Sequence, residues 1–179
     1  MCRYEDAFKQ SDTTDAVLVI MYYGKKNKLH VNKAFLSYHS DYFNTLFNSE
    51  FKEKSMEEIE IKDVNFYHFA TVLSLVHPNP ITPSIYQADE LLTMADRFLL
   101  PSAKNHLEMF LLAKEKSEKN KVMLGVKFGL MNLLDSGIKD YSSNDTREFR
   151  SLRRSDDFVK LPESTKVDIF TRYLNLRGY

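Results

Sequence analysis

Asp15 to Phe47 reads DAVLVIMYYGKKNKLHVNKAFLSYHSDYFNTLF, and the order of elements within it decides the fold. Ala16 to Met21 is almost wholly apolar, which suits a strand covered on both faces. Gly24 and Asn27 supply turn chemistry before a second short strand near Leu29 to Val31. Two short amphipathic helices follow at once. The first carries Phe35 and Leu36, the second Tyr42 and Phe43.

The chain then repeats this mixed grammar. A charged linker leads to a strand at Ile59 to Ile61. A helix from about Asn65 to Val76 places Phe66, Phe69, Val72, Leu73 and Val76 on one face. His77-Pro78-Asn79-Pro80 breaks it. Thr82 before Pro83 reads as the next helix start, with proline in the first turn, where its missing N–H costs nothing. Leu100-Pro101 reads as a break between two further helices, and Leu107, Phe110 and Leu111 recur at helical spacing. Lys114 to Lys121 is charge-rich and reads as a solvated link or a helix start, and beyond it apolar residues keep a helical period. Gly129 and Gly137 read as helix ends. Ser142, Ser143, Asn144 and Asp145 read as cap and turn residues. Arg147 to Arg154 reads as a basic helix, and Pro162 opens a last helix with Val167, Phe170, Tyr173 and Leu174 as its apolar stripe.

These signals, in this order, resemble a BTB/POZ domain. The family run "HKAILAARSxYFxxMF" is matched here by Asn32, Lys33, Ala34, Phe35, Leu36, then Ser40, Asp41, Tyr42, Phe43, Leu46 and Phe47. Asn32 stands where the family has His. Asp89-Glu90-Leu91-Leu92 through Ala95-Asp96-Arg97-Phe98 is similar to the family's "ELLxxADxF" helix. The His77–Pro80 turn resembles that of BTB proteins of the BTB–MATH group. The resemblance implies an α+β fold, a small, mainly three-stranded sheet with a cluster of helices. It implies an N-terminal segment at 1–14, a BTB/POZ domain at 15–113 and an all-helical extension at 114–179, similar in pattern to a 3-box or BACK region.

Composition narrows the function. The 179 residues are 43% hydrophobic and 13% aromatic, enough for one good core and against global disorder. Lys+Arg and Asp+Glu each total 25, so no net field pulls the chain toward nucleic acid or an anionic membrane. No apolar run reaches the length of a membrane span, and MCRYEDAFKQ has no apolar signal core. Cys2 is the single cysteine, so neither an internal disulfide nor a thiolate metal cage forms. The expected compartment is cytoplasmic or nuclear. The histidines (30, 39, 68, 77, 106) are scattered, and no phosphate loop, dinucleotide fingerprint, nucleophile elbow or zinc helix occurs. No catalytic residue, metal or cofactor is expected. Arg150, Arg153 and Arg154 are offset by Asp156 and Asp157 and read as a surface patch.

The resemblance also implies sites. Phe35, Leu36, Tyr38, His39 and Tyr42 fall on the helical pair through which BTB domains form homodimers. Two short helices cannot turn all their aromatics inward, and an uncovered remainder signals a partner. Asp15 and Lys33 match positions where the family keeps an acid and a base in a shallow pocket by the dimer seam. Phe51-Lys52-Glu53 falls at the offset of the hydrophobic-x-Glu motif of cullin-3-binding BTB proteins, which makes Phe51 and Glu53 the candidate cullin contacts. The expected function is a homodimeric adaptor that links a cullin-3 ubiquitin ligase to a substrate protein of unknown identity. A BTB scaffold for transcription or assembly, with no cullin contact, is the alternative. No MATH, kelch or zinc-finger reader occurs within the 179 residues.

Overall fold

The computed structural model describes residues 3–48, 58–141 and 146–177. They fall into two compact units, Met1–Leu107 and Glu108–Tyr179.

In the first unit a short helix, α1 (Arg3–Ala7), precedes strands β1 (Ala16–Tyr22) and β2 (Lys25–Val31). β1 is the middle strand of a three-stranded sheet of order β2-β1-β3. That position explains its unbroken apolar run: Leu18 and Ile20 are sealed off and Val19 is buried. β1 pairs antiparallel with β2, from Ala16 opposite Val31 to Tyr22 opposite Lys25. The connection is Tyr23-Gly24, both with positive φ (47° and 72°), as a tight two-residue hairpin needs. The turn therefore lies one residue earlier than Gly24 and Asn27 suggested, and Asn27 belongs to β2. β3 (Glu58–Glu60) pairs parallel with β1. A parallel partner needs a crossover, and α2 (Lys33–His39) and α3 (Asp41–Asn48) lie within it.

Aromatic packing holds these layers. Phe43 on α3 stacks near-parallel on Phe98 at 5.9 Å, and Phe69 of α4 (Phe66–Ser74) tilts against the same ring at 4.8 Å. Buried Ser40 ties the α2–α3 junction to that cluster: its hydroxyl accepts from Phe43 N and donates to Phe98 O. Asn65 caps α4 by accepting from Tyr67 N and His68 N. The helix ends sooner than its periodicity implied: Leu75 N and His77 N reach back only three residues, to Val72 O and Ser74 O, and the Ser74 hydroxyl accepts from Ile81 N of the loop. Pro83 does not open the next helix. Ser84 caps a single 3₁₀ turn (Ile85–Gln87) that runs into α5 (Ala88–Arg97). Leu99 (φ 48°) makes the bend before α6 (Pro101–Lys114), where the Leu100-Pro101 break was read.

The second unit takes in the end of α6, then α7 (Glu118–Phe128), α8 (Met131–Asp140), α9 (Thr146–Arg153), α10 (Asp156–Lys160) and α11 (Glu163–Arg177). Its core gathers Val122, Leu134, Tyr141, Phe149, Leu152, Leu161 and Ile169. Phe149 stacks on Tyr173 at 4.2 Å. Gly129 ends α7 in the left-handed conformation, as read. Gly137 does not end a helix. It lies inside α8, where a Cβ would come within 2.8 Å of Lys121 Cβ and 2.9 Å of Val122 N. Gly125 on α7 faces Leu134 as closely. Both glycines serve the close approach of α7 and α8.

Two further expectations need correction. Of the two readings of Lys114–Lys121 the helix start holds, since Ser117 caps α7, but Lys121 is not solvated: it is buried, and its ammonium donates to Asp140 at 2.6 Å. The last helix turns a different face inward than its apolar letters suggested. Thr165 and Ile169 are buried, with Tyr173 and Leu176 packed beside them, while Val167, Phe170 and Leu174 are exposed. The turn residues Ser142–Asp145 lie outside the described residues.

Candidate interaction surface

The surface is built on α2. Asn32 starts this helix: its side-chain oxygen accepts from Phe35 N at 2.7 Å, while its amide donates to Thr13 O at 2.7 Å. The departure from the family His thus leaves a good cap. Asp15 adds a second anchor, its carboxylate accepting from Lys33 N at 2.7 Å. A carboxylate among first-turn amides is favoured by their dipoles. The acid and the base are therefore neighbours, but this contact runs through the backbone of Lys33.

Two residues expected on the seam differ in kind from the rest. Leu36 is fully buried and faces the unit's own core, so it offers no side-chain surface to a second copy. Tyr42 is half-buried, edge-on to Phe43 at 5.2 Å and to Phe98 at 4.9 Å. The remaining three form one aromatic face. Phe35 is half-buried, with His39 at 4.7 Å and His77 at 4.9 Å. Tyr38 is 85% exposed and meets His39 edge-on at 5.1 Å. A large aromatic left that open, beside two half-buried rings, is the uncovered remainder that partner surfaces carry.

His77 was not foreseen here. It lies in the loop after α4, between Phe35 and the Phe8 ring at 5.7 Å. Its pKa is lowered, first by burial and then by the charge of His39. So two of the histidines read as scattered share the Phe35 ring. The i, i+4 spacing of Phe35 and His39 could have flagged half of this; His77 follows a helix break, where no period places it. An open depression of about 480 Å³ borders the same face, lined in part by Lys9, Thr13, His30, Asn32, Phe35 and His77.

Phe51 and Glu53 lie outside the described residues. Among the described residues, no three His, Cys, Asp or Glu side chains converge as metal ligands, and no helix is long and apolar enough to cross a membrane.

Comparison with known proteins gives this geometry a family. The profile of the BTB/POZ domain matches residues 4–115. The chain belongs to the BTB/POZ family. The α+β fold with its three-stranded sheet is that of this family, whose domains are protein-interaction modules. The chain is similar to BTB and MATH domain-containing protein 38 of Caenorhabditis elegans, 27% identical over 177 residues, covering 97% of this chain and 44% of the relative. A BTB/POZ domain-containing protein of the same nematode is 32% identical over 171 residues, covering 94% of this chain and 52% of the relative. BTB and MATH domain-containing protein 36 is 25% identical over 164 residues, covering 91% and 49%. The chain spans about half the length of these curated relatives.

Proposed function

We propose that this BTB/POZ chain forms a homodimer through α2 and links a cullin-3 ubiquitin ligase to a substrate protein. The observation that carries the reading is the open aromatic face of Phe35, Tyr38 and His39, with Tyr38 almost wholly in solvent. In a two-fold dimer the same patch meets its own copy, so one aromatic face serves both sides. Tyr42 lines the edge of that contact. Asp15 and Lys33 hold the start of α2 at the seam.

The cullin contact is assigned to Phe51 and Glu53. A Phe set among charges gains about 2–3 kcal/mol when it docks in a partner's apolar pocket. Glu53 adds a directional hydrogen bond and excludes like-charged partners. A dimer holds two ligase arms and two substrate arms, which raises the local concentration of target. Chemistry on the substrate belongs to the ligase's other subunits. Two of the relatives are named as MATH-containing proteins, and a reader of that kind, in the same polypeptide or in a partner, would select the substrate.

Solution mass with and without the N-terminal part of cullin-3 tests both halves. The expected species is a dimer that gains two cullin fragments. Phe35→Asp gives a folded monomer. Phe51→Ala and Glu53→Lys abolish cullin capture while leaving the dimer intact. Capture unaffected by both changes would overturn the cullin site. A dimer with no cullin binding would leave a scaffold.

A further inference from the structure

Beneath the α2 face, His77 occupies a slot between α2 and the N-terminal segment. Phe8, the residue after α1, meets one side of the imidazole edge-on, and Phe35 of α2 tilts against another. The backbone braces the slot: His77 N donates to Ser74 O, and Phe8 O accepts from His30 N. Nε2 of His77 is buried and has no hydrogen-bond partner. A neutral ring tolerates this place, because one nitrogen without a proton loses little there. A cationic ring does not, because its second N–H would be buried without an acceptor.

We propose that His77 makes the association of two copies acid-sensitive, its protonation loosening Phe35 and Phe8 and with them the face that α2 presents. The inference rests on α2 being the seam. The charged and titratable groups that face the slot are few. His39 comes from α2 and shares the Phe35 ring. His30 comes from β2, and Asp6 and Lys9 come from α1 and the stretch after it, all lining the same depression. The end of α4 brings Ser74 and the loop after it Pro78 and Asn79, none of them charged. Asp6 is exposed, so water screens its attraction for a proton on His77, and Lys9 opposes it. His39 carries the same sign as His77 when both are protonated. Attraction of an imidazolium to a ring recovers only part of its lost hydration.

The direction of the effect follows from linkage. Burial and His39 already hold the His77 pKa below its ordinary value of 6.5. A second copy laid over Phe35 and Tyr38 removes more water from the ring and brings further histidines close. That lowers the pKa again in the dimer. Dimer affinity is then full above the value in the single chain and is lost as pH falls through it toward the dimer's value. With one such group per copy, the dissociation constant rises by up to about 100-fold per pH unit within that window.

The test is sedimentation equilibrium at about pH 7.5 and about pH 5.5 on the chain and on His77→Phe, which keeps a ring in the slot but cannot titrate. The expected result is a dissociation constant that rises in acid for the unmodified chain, by up to about 100-fold per pH unit once pH falls below the His77 value, and an almost level one for the variant. His39→Gln reduces the acid effect without removing it. NMR titration of the His77 ring in the unmodified chain, above and below its dissociation constant, reads the same linkage should His77→Phe fail to fold. The expected pKa is lower at the higher concentration. A dimer whose affinity ignores pH, or a His77 pKa that ignores concentration, overturns the inference and leaves the seam standing. A chain that is monomeric at every concentration and pH removes the seam itself, and the inference with it.

Discussion

Gly125→Ala tests the packing of the helical unit by setting two opposed effects against each other. Alanine is the better helix former, favoured over glycine by about 1 kcal/mol inside a helix. The new methyl, however, would stand 2.8 Å from Leu134 N, Cα and Cβ. Ordinary contact begins at 3.4 Å, so α8 must retreat by more than half an ångström. All three atoms are fixed to the α8 backbone, and no rotamer of Leu134 relieves the clash. Overpacking of this kind costs about 1–3 kcal/mol, so the helix-propensity gain is cancelled and the net loss reaches up to about 2 kcal/mol. Urea unfolding followed by far-ultraviolet circular dichroism should show the transition of the second unit moved to lower denaturant. Gly129 supplies the control, because a Cβ there meets nothing within 4 Å and only its φ of 66° resists substitution. Asparagine, which tolerates that backbone, should therefore be mild at 129 and worse than alanine at 125. A Gly125→Ala chain more stable than the unmodified one, by the full propensity gain of about 1 kcal/mol, would refute the account of the α7–α8 approach.

Three other outcomes follow from the described contacts. Glu58 on β3 reaches both Lys26 and Lys28 on β2, and hydrogen bonds from Lys26 and then Lys28 pull its pKa down from 4.5 to about 2. A depressed carboxyl lends stability that is present above 4.5 and is lost as pH falls from there toward about 2. The NMR midpoint of Glu58 should lie well below 4.5 and rise with added salt, since the carboxylate is exposed; a midpoint at 4.5 would discount the two lysines. Asp140→Ala leaves the buried Lys121 ammonium with a long contact to Ser136 Oγ at 3.4 Å and should cost about 1–3 kcal/mol in thermal or urea melts. Lys121→Met, which replaces that ammonium with an apolar end, should be near neutral, and equal losses from both changes would argue against a buried-charge penalty. Asn32→Ala removes the cap on Phe35 N and should destabilise the first unit by about 1 kcal/mol, measured by the same melts.

How legible all this was in the sequence depended on the kind of signal. β1 announced itself because a central strand, buried on one face and at Val19 on the other, leaves an unbroken apolar run. Pro101 and Gly129 each fix one backbone dihedral preference, and each fell where its chemistry predicts. Gly137 misled because glycine also serves close helix contact, a use that only the neighbouring helix reveals. Lys121 misled because its letter is charged while its partner, Asp140, lies a helix away. The α11 stripe was misassigned because Val167, Phe170 and Leu174 are as apolar as Ile169, and hydrophobicity alone does not say which face meets a neighbour. On the candidate surface, Tyr38 and Phe35 could be named from the family run, whereas the inward turn of Leu36 and the arrival of His77 depend on tertiary packing.

Glu108 bears on where the helical part can be separated. α8 begins at Leu130 without a side-chain cap of its own. The missing acceptor comes from α6, whose buried Glu108 takes the hydrogen of Leu133 N at 3.1 Å. A recombinant fragment cut at the charge-rich Lys114 would leave that amide exposed and α8 frayed at its first turn. One begun a few residues ahead of Glu108 would carry its own lock.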